Sequence, residues 1–215
     1  MAPGLDAIVL AAGTGRRMGG AKGRILIGGV SLARRHLREA RVVGCRRVVI
    51  VASPEECAWL TRECALDATE GAAPVIVVSS SAPDQAGSLA LAVQALGGPP
   101  STALGEFVLI TPIDTLPVST ATLASLLDAL AAGALAATPT CEGRGGHPAI
   151  LRRAALARYR RGSAPPAPPL RELLASLGPL RVRVPVDDPD VLTDLDTPED
   201  VTRLTGAPPR FCSEV

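Results

Sequence analysis

Residues 5–22 read LDAIVLAAGTGRRMGGAK, and the change of character in the middle of that stretch decides the fold. Its first half is a short apolar run, broken only by Asp6 and closed by Gly13. Such a run reads as a buried strand feeding a turn. Its second half is a cluster of glycines and arginines that ends on Lys22, the only lysine among 22 Lys and Arg residues. A compact, rotatable ammonium differs from a guanidinium fork most where a point charge meets a phosphate. Glycines after a first strand also let backbone N–H groups approach anionic oxygens. From its own residues, the loop is a phosphate cradle or a tight turn carrying solvated charges.

Downstream, strand and helix alternate. Strands are predicted over 46–53, 73–80 and 106–114, and helices over 31–43, 53–66, 87–96 and 119–133. Ser31 and Ser53 are placed to cap, and Pro54 sits at a first helical position. The strands lack polar alternation, so both their faces are buried and a parallel sheet lies between helices. The last third is less regular. It predicts strands over 134–140, 147–151, 180–186 and 190–196, and helices over 152–161, 170–178 and 197–206, with a proline-rich loop at 162–169. The expected architecture is α/β: a Rossmann-like three-layer sandwich with a mostly parallel central sheet. One domain over residues 1–206 and a disordered tail over 207–215 are expected. A chain of 215 residues buries roughly 70% of its unfolded surface around one core.

Composition removes several classes of function. Aromatic residues make up 2% and no continuous basic stripe exists at a net charge of +1, so nucleic-acid binding is not expected. Five cysteines without a Cys-x-x-Cys pair fit reduced thiols better than a disulfide framework or a zinc site. No apolar stretch approaches the ~18 to 20 residues of a membrane span, and residues 1–13 do not read as a signal peptide. A cytoplasmic protein without membrane contact is expected.

Ligands of open parallel sheets bind beyond the carboxyl ends of the strands. Three loops converge there: Gly13 to Lys22, Ser79 to Ser88 and Thr111 to Leu116. A dinucleotide fingerprint fails, because Met18 stands where its third glycine belongs and no acidic residue ends the second strand at Ala52-Ser53. A P-loop fails as well, because Gly23 and Arg24 follow Lys22.

The full string does resemble a known pattern. Leu10 to Gly13, Gly15, Arg17-Met18-Gly19 and Lys22 match the opening of nucleotidyltransferases related to molybdenum cofactor cytidylyltransferase and guanylyltransferase. The resemblance continues through IGGVSL (27–32, Ser31 replacing a proline), AGSLALAV (86–93), LITPIDTLPVSTATLASLL (109–127), GRGGHPAILRR (143–153) and VLTDLDTPEDVTRL (191–204). Two departures concern backbone detail: Pro117 comes one residue late after Asp114, and Leu26-Ile27 replaces a Leu-Pro pair.

The resemblance implies a nucleotide-diphospho-sugar transferase-like fold and a site. Arg17, Lys22 and Asp114 would be the catalytic groups. Leu10, Ala11, Ala12, Gly13, Gly15, Arg17, Lys22 and Ser88 would bind the nucleotide. Asp114 and Asp196 would hold Mg²⁺, with Asp194 as the substitute for Asp196, and His147 would border the acceptor. Each has a plainer alternative: Asp114 as a turn residue, Asp196 as the cap of the helix at Pro198, Ser88 as the cap of the LALAVQAL helix, His147 as a turn histidine, and Arg16 as a bystander. The implied reaction is in-line attack of an acceptor phosphate oxygen on the α-phosphorus of an NTP, with pyrophosphate leaving. Ala12 leaves less room for guanine, which favours CTP, and molybdopterin is the first acceptor, with a molybdoenzyme client as a possible partner. The rivals are the same chemistry with another NTP and a sugar, polyol or small-molecule phosphate, a non-catalytic nucleotide-binding module, and a dehydrogenase.

Overall fold

The computed structural model describes residues 4–13, 15–67, 74–82, 84–97, 106–159 and 167–213. In chain order the strands are β1 (Leu5–Ala11), β2 (Leu26–Ile27), β3 (Val30–Ser31), β4 (Val48–Ala52), β5 (Val75–Ser79), β6 (Phe107–Pro112), β7 (Ala136–Cys141), β8 (Arg144–Gly145), β9 (Ala149–Arg152) and β10 (Arg181–Pro185). The helices are α1 (Leu32–Val42), α2 (Cys57–Ala65), α3 (Gln85–Leu96), α4 (Thr120–Ala131), α5 (Leu170–Ser176) and α6 (Pro198–Thr205). The main sheet has the order β10-β7-β9-β6-β1-β4-β5, and β8 pairs with β7. β1 lies parallel to both β4 and β6, as does β5 to β4 and β10 to β7. Only β9, running antiparallel between β6 and β7, reverses the direction of a long strand among the described residues.

Strand alternation divides the core in two. Ala7, Val9, Val48, Ile50 and Leu109 face one side, where α1, α2 and α4 pack through Leu37, Trp59 and Leu126. Ile8, Leu10, Val49, Val51 and Ile110 face the other, under α3 and α5 with Leu89, Leu96 and Leu173. This is the expected three-layer arrangement. Asp6, which interrupts the apolar run of β1, is fully buried and bonds to Arg47 at 2.8 Å and Arg153 at 2.5 Å. Without those partners a carboxylate there would be strongly destabilising.

Several boundaries differ from the sequence expectations. Helix α3 starts two residues early, because Asp84 caps it by accepting from Gly87 N at 2.8 Å. Ser88 therefore lies inside the first turn and is not the cap. Residues 153–159 form a 3-10 stretch in place of a helix, and residues 160–161 lie outside the described residues. The strand expected over 190–196 is a 3-10 turn at Pro189–Leu192 followed by an isolated bridge between Thr115 and Asp194. Pro189 cannot donate to a ladder, and the Asp188 carboxylate takes the next N–H, that of Asp190. The hairpin β2–β3 was not read in advance, although Gly28 and Gly29, at φ 59° and 78°, supply the two positive-φ positions of a tight turn.

The expected disordered tail is corrected for residues 207–213. They return antiparallel to residues 24–26, with Leu26 N donating to Arg210 O and Cys212 N to Arg24 O, both at 2.8 Å. A bridge joins Ile25 to Phe211 between them. Residues 214–215 lie outside the described residues.

Candidate active site

The carboxyl ends of β1, β5 and β6 open into one cleft of about 410 Å³. Each end arrives for a local reason. β1 runs into Ala12-Gly13 and then a turn closed by Met18 N donating to Gly15 O at 2.9 Å. Gly15 has φ +59°, and a Cβ there would lie 1.9 Å from the carbonyl oxygen of Gly20. Only glycine lets the turn fold this tightly. β6 ends at Pro112, and Ile113 N donates to Leu10 O at 3.0 Å, which sets Asp114 beside the glycine loop.

Four charged side chains meet in the cleft. Lys22 Nζ is 2.7 Å from Asp114 Oδ2 and 2.7 Å from Asp196 Oδ1. Arg17 reaches Asp196 Oδ1 at 3.5 Å from a side chain that is 73% exposed, so it is held loosely. Burial opposes the charge on Lys22, but the hydrogen bonds it donates to its two carboxylate partners outweigh it and hold the ammonium above its ordinary value. The hydrogen bond from Lys22 likewise keeps Asp196 below the usual carboxylate range.

Asp196 is free to face the cleft because another residue caps α6. Thr197 is the N-cap, and the carboxylate of Asp200 accepts from Thr197 N, Thr197 Oγ1 and Asp196 N at 2.8, 3.0 and 3.1 Å. Asp194, two residues earlier, lines a separate hollow with Arg203 and Leu204. There burial raises its pKa, against the pull of His147.

Leu10, Ala12, Gly13, Gly15, Arg17, Lys22, Ser88, Asp114 and Asp196 all line the cleft. Ala11 does not, because alternation along β1 turns it to the opposite face, where it joins the α1–α2–α4 core. His147 also lies outside the lining; burial depresses its pKa while Asp194 and Asp114 act to raise it. The cleft adds Arg16, Ala82, Asp84, Gln85, Pro112 and Ile113, which were not singled out as contacts. For Ala82, Asp84 and Gln85 it is the early start of α3 that brings them to the cleft. A support was missed outright. The buried His36 has Nε2 3.0 Å from Thr115 O, and Glu39 accepts from Val118 N at 2.8 Å, so α1 grips the chain just after Asp114. A carbonyl only accepts, which assigns the proton to Nε2.

Could this donor set hold a divalent cation? Two oxygens that share one nitrogen neighbour at 2.7 Å face the same small volume, and a cationic group already sits between them. No group of three or more His, Cys, Asp or Glu forms a metal cage among the described residues. Mg²⁺ needs only one or two protein carboxylates when phosphate oxygens and water complete its shell. Asp114 and Asp196 fit a cation of that kind, completed by a substrate.

The model of the MobA-like NTP transferase domain matches residues 7–181, a span that contains the glycine loop, Lys22 and Asp114. The chain belongs to that family. It is a nucleotidyltransferase, with the fold of the nucleotide-diphospho-sugar transferases. No curated protein matches the sequence. Rv0371c from Mycobacterium tuberculosis H37Rv superposes with a TM-score of 0.71 at 22% identity, covering 96% of this chain and 100% of that one. A structure of the same mycobacterial protein in complex with manganese gives 0.67 at 21%, covering 96% and 100%. 4-Diphosphocytidyl-2C-methyl-D-erythritol synthase from Anaerococcus prevotii gives 0.70 at 14%, covering 95% and 97%. Molybdopterin-guanine dinucleotide biosynthesis protein A from Archaeoglobus fulgidus gives 0.63 at 19%, covering 94% and 97%. At these identities the likenesses speak for the fold. No helix among the described residues of this MobA-like transferase is long and apolar enough to cross a membrane.

Proposed function

We propose that the cleft transfers the NMP of an NTP, CTP in the first instance, to a phosphorylated small molecule, with molybdopterin the first acceptor to test, in the cytoplasm and with Mg²⁺. One observation carries the reading: the sole lysine of the chain bridges Asp114 and Asp196 at 2.7 Å each, beside a glycine turn at the carboxyl ends of parallel strands. A cation between two carboxylates, next to the backbone of a glycine turn, is a site for triphosphate charge.

Phosphoryl chemistry of this kind depends on positioning and charge neutralisation and needs no protein nucleophile. Lys22, Arg17 and the loop N–H groups of Gly13 and Gly15 bind the β- and γ-phosphates. They stabilise the pyrophosphate as its bond to the α-phosphorus breaks and the bond to the acceptor oxygen forms. Asp114 and Asp196 would hold the divalent cation, which when bound supplies further neutralisation of phosphate charge. Ser88 and Ala12 flank the base and ribose, and the small space at Ala12 favours cytosine over guanine. His147 borders the acceptor.

The test is thermal stabilisation by CTP, GTP, ATP, UTP and NAD⁺, each with and without Mg²⁺. A ligand at ~100 times its dissociation constant adds roughly 2.7 kcal/mol, a readable shift. A Mg²⁺-dependent shift with CTP, lost in Asp114→Ala, is the expected result. A shift with another NTP changes the base, and a shift with NAD⁺ alone overturns the reading.

A further inference from the structure

The glycine loop has almost no side chains of its own with which to hold its shape. Between Gly15 and Lys22 the described residues offer one buried apolar anchor, Met18, at 2% exposure. Glycines lose more conformational freedom on ordering than other residues, so a contact from outside must help fix the turn. That contact comes from the far end of the chain. A Cβ built on Gly20 would lie 3.0, 3.2 and 3.3 Å from Cε1, Cδ1 and Cζ of Phe211, so the aromatic ring rests directly on the Gly20 backbone. The Gly20 carbonyl in turn fills the space where a Cβ of Gly15 would stand. Ring, Gly20 and Gly15 thus form one stack ending at the turn.

The same ring belongs to a small cluster set apart from the two main cores. Met18 of the loop, Ile25 after Lys22, Leu195 before Asp196, Leu32 at the start of α1 and Val201 of α6 form its buried part, with Phe211 packed against them. The segments that carry Arg17, Lys22, Asp114 and Asp196 therefore each send an apolar neighbour into this cluster, namely Met18, Ile25, Leu116 and Leu195. The strap over 207–213 is fastened by main-chain bonds at Leu26 and Cys212, which fixes where the ring can sit.

We propose that Phe211 is a positioning residue of the transferase: it sets the shape of the Gly15–Lys22 turn and so the aim of its N–H groups at the triphosphate. The inference rests on the reading of that turn as the phosphate site. Phe211 itself touches no reacting atom.

The test uses the full chain with Phe211→Ala, Phe211→Leu, Gly20→Ala and the Phe211→Ala/Gly20→Ala double variant. Hydrogen exchange of residues 15–24 is followed without nucleotide, and KM and kcat are measured with the preferred NTP well below the melting temperature. Phe211→Ala is expected to speed exchange in 15–24 and to lower kcat/KM about 10- to 100-fold, carried mainly by KM. Phe211→Leu should restore most of it. Gly20→Ala pushes on the ring in the parent and should harm binding there, but should add nothing in the Phe211→Ala background. Unchanged exchange in Phe211→Ala overturns the proposal. So does a fall in melting temperature with KM intact, or penalties for Gly20 and Phe211 that simply multiply. Because exchange is read without nucleotide, protection that depends on Phe211 in a protein that binds no NTP would uphold the positioning and remove only the nucleotide reading.

Discussion

The backbone N–H of Leu195 donates to the carbonyl of Asp114 at 2.8 Å, and Thr115 pairs with Asp194 alongside it. The two segments that carry the cleft carboxylates are thus joined main chain to main chain, with Asp196 further secured by its N–H on Asp200. Their separation is a backbone property and does not depend on the charges. Asp114→Asn and Asp196→Asn should therefore leave the melting temperature within a few degrees of the parent while each lowers turnover on the order of 10²-fold or more. Steady-state rates with calorimetry on the same samples check this. Parent-level turnover in either variant would remove that residue from the chemistry.

Lys22 pairs with two carboxylates at once from a side chain that is 13% exposed. Lys22→Met removes the cation the two carboxylates share, leaving Asp196 only the loosely held Arg17, while keeping much of the apolar stem. Two opposite effects follow. Turnover should fall on the order of 10²-fold or more as phosphate contact is lost. Binding of Mn²⁺ in the absence of nucleotide should tighten on the order of tenfold, because the metal no longer competes with a fixed ammonium. Titration calorimetry with Mn²⁺ on parent and variant decides it, and weaker Mn²⁺ binding in Lys22→Met would mean that the lysine and the metal do not share the carboxylate pair.

How much of this was legible beforehand follows the range of the interactions. The glycine loop and Asp114 could be read because apolar strands end just before them, at Ala11 and Pro112, and Lys22 because it is the sole lysine of the chain and stands in that loop. That Asp196 and not Asp194 lines the cleft was only half legible: the resemblance offered both, and what separates them is the Asp200 cap and the pairing of Asp194 across to Thr115. The tail misled for a related reason. APPRFCSEV carries two prolines and no periodic pattern, and nothing local reveals that Phe211 lands on Gly20, 191 positions earlier in the sequence. The antiparallel insertion of β9 and the support of Asp114 by His36 and Glu39 are likewise long-range pairings.

Stability at mildly acid pH should respond to His147. Burial lowers its folded pKa below the unfolded value of about 6.5, outweighing the pull of Asp194 and Asp114. The unfolded chain then binds a proton that the folded chain does not. Stability is accordingly unaffected by this group above about pH 6.5 and falls as pH drops from there toward the folded pKa. His147→Asn should flatten the decline in melting temperature between about pH 6.5 and 5, leaving the alkaline side unchanged. An identical slope in parent and variant would show that His147 titrates alike folded and unfolded.

The loop between β5 and α3 offers a way to perturb the nucleotide side of the cleft without touching a charge. A Cβ on Gly87 would lie 2.7 Å from the Cβ of Ala82 and 3.4 Å from Asp84 Oδ1. Both Ala82 and Asp84 line the cleft, and Asp84 caps α3 through Gly87 N. Gly87→Ala must therefore displace Ala82 or Asp84, while the carboxylate pair and Lys22 lie on other elements and stay in place. The cost should fall on binding: KM for the NTP rises roughly 10-fold with kcat changed much less, the pattern of lost uniform binding. Steady-state kinetics across NTP concentration test it, with Ala82→Gly in the same chain as the relief variant. If Gly87→Ala lowered kcat and left KM alone, Ala82 and Asp84 would belong to the reacting end of the cleft and the base would lie elsewhere.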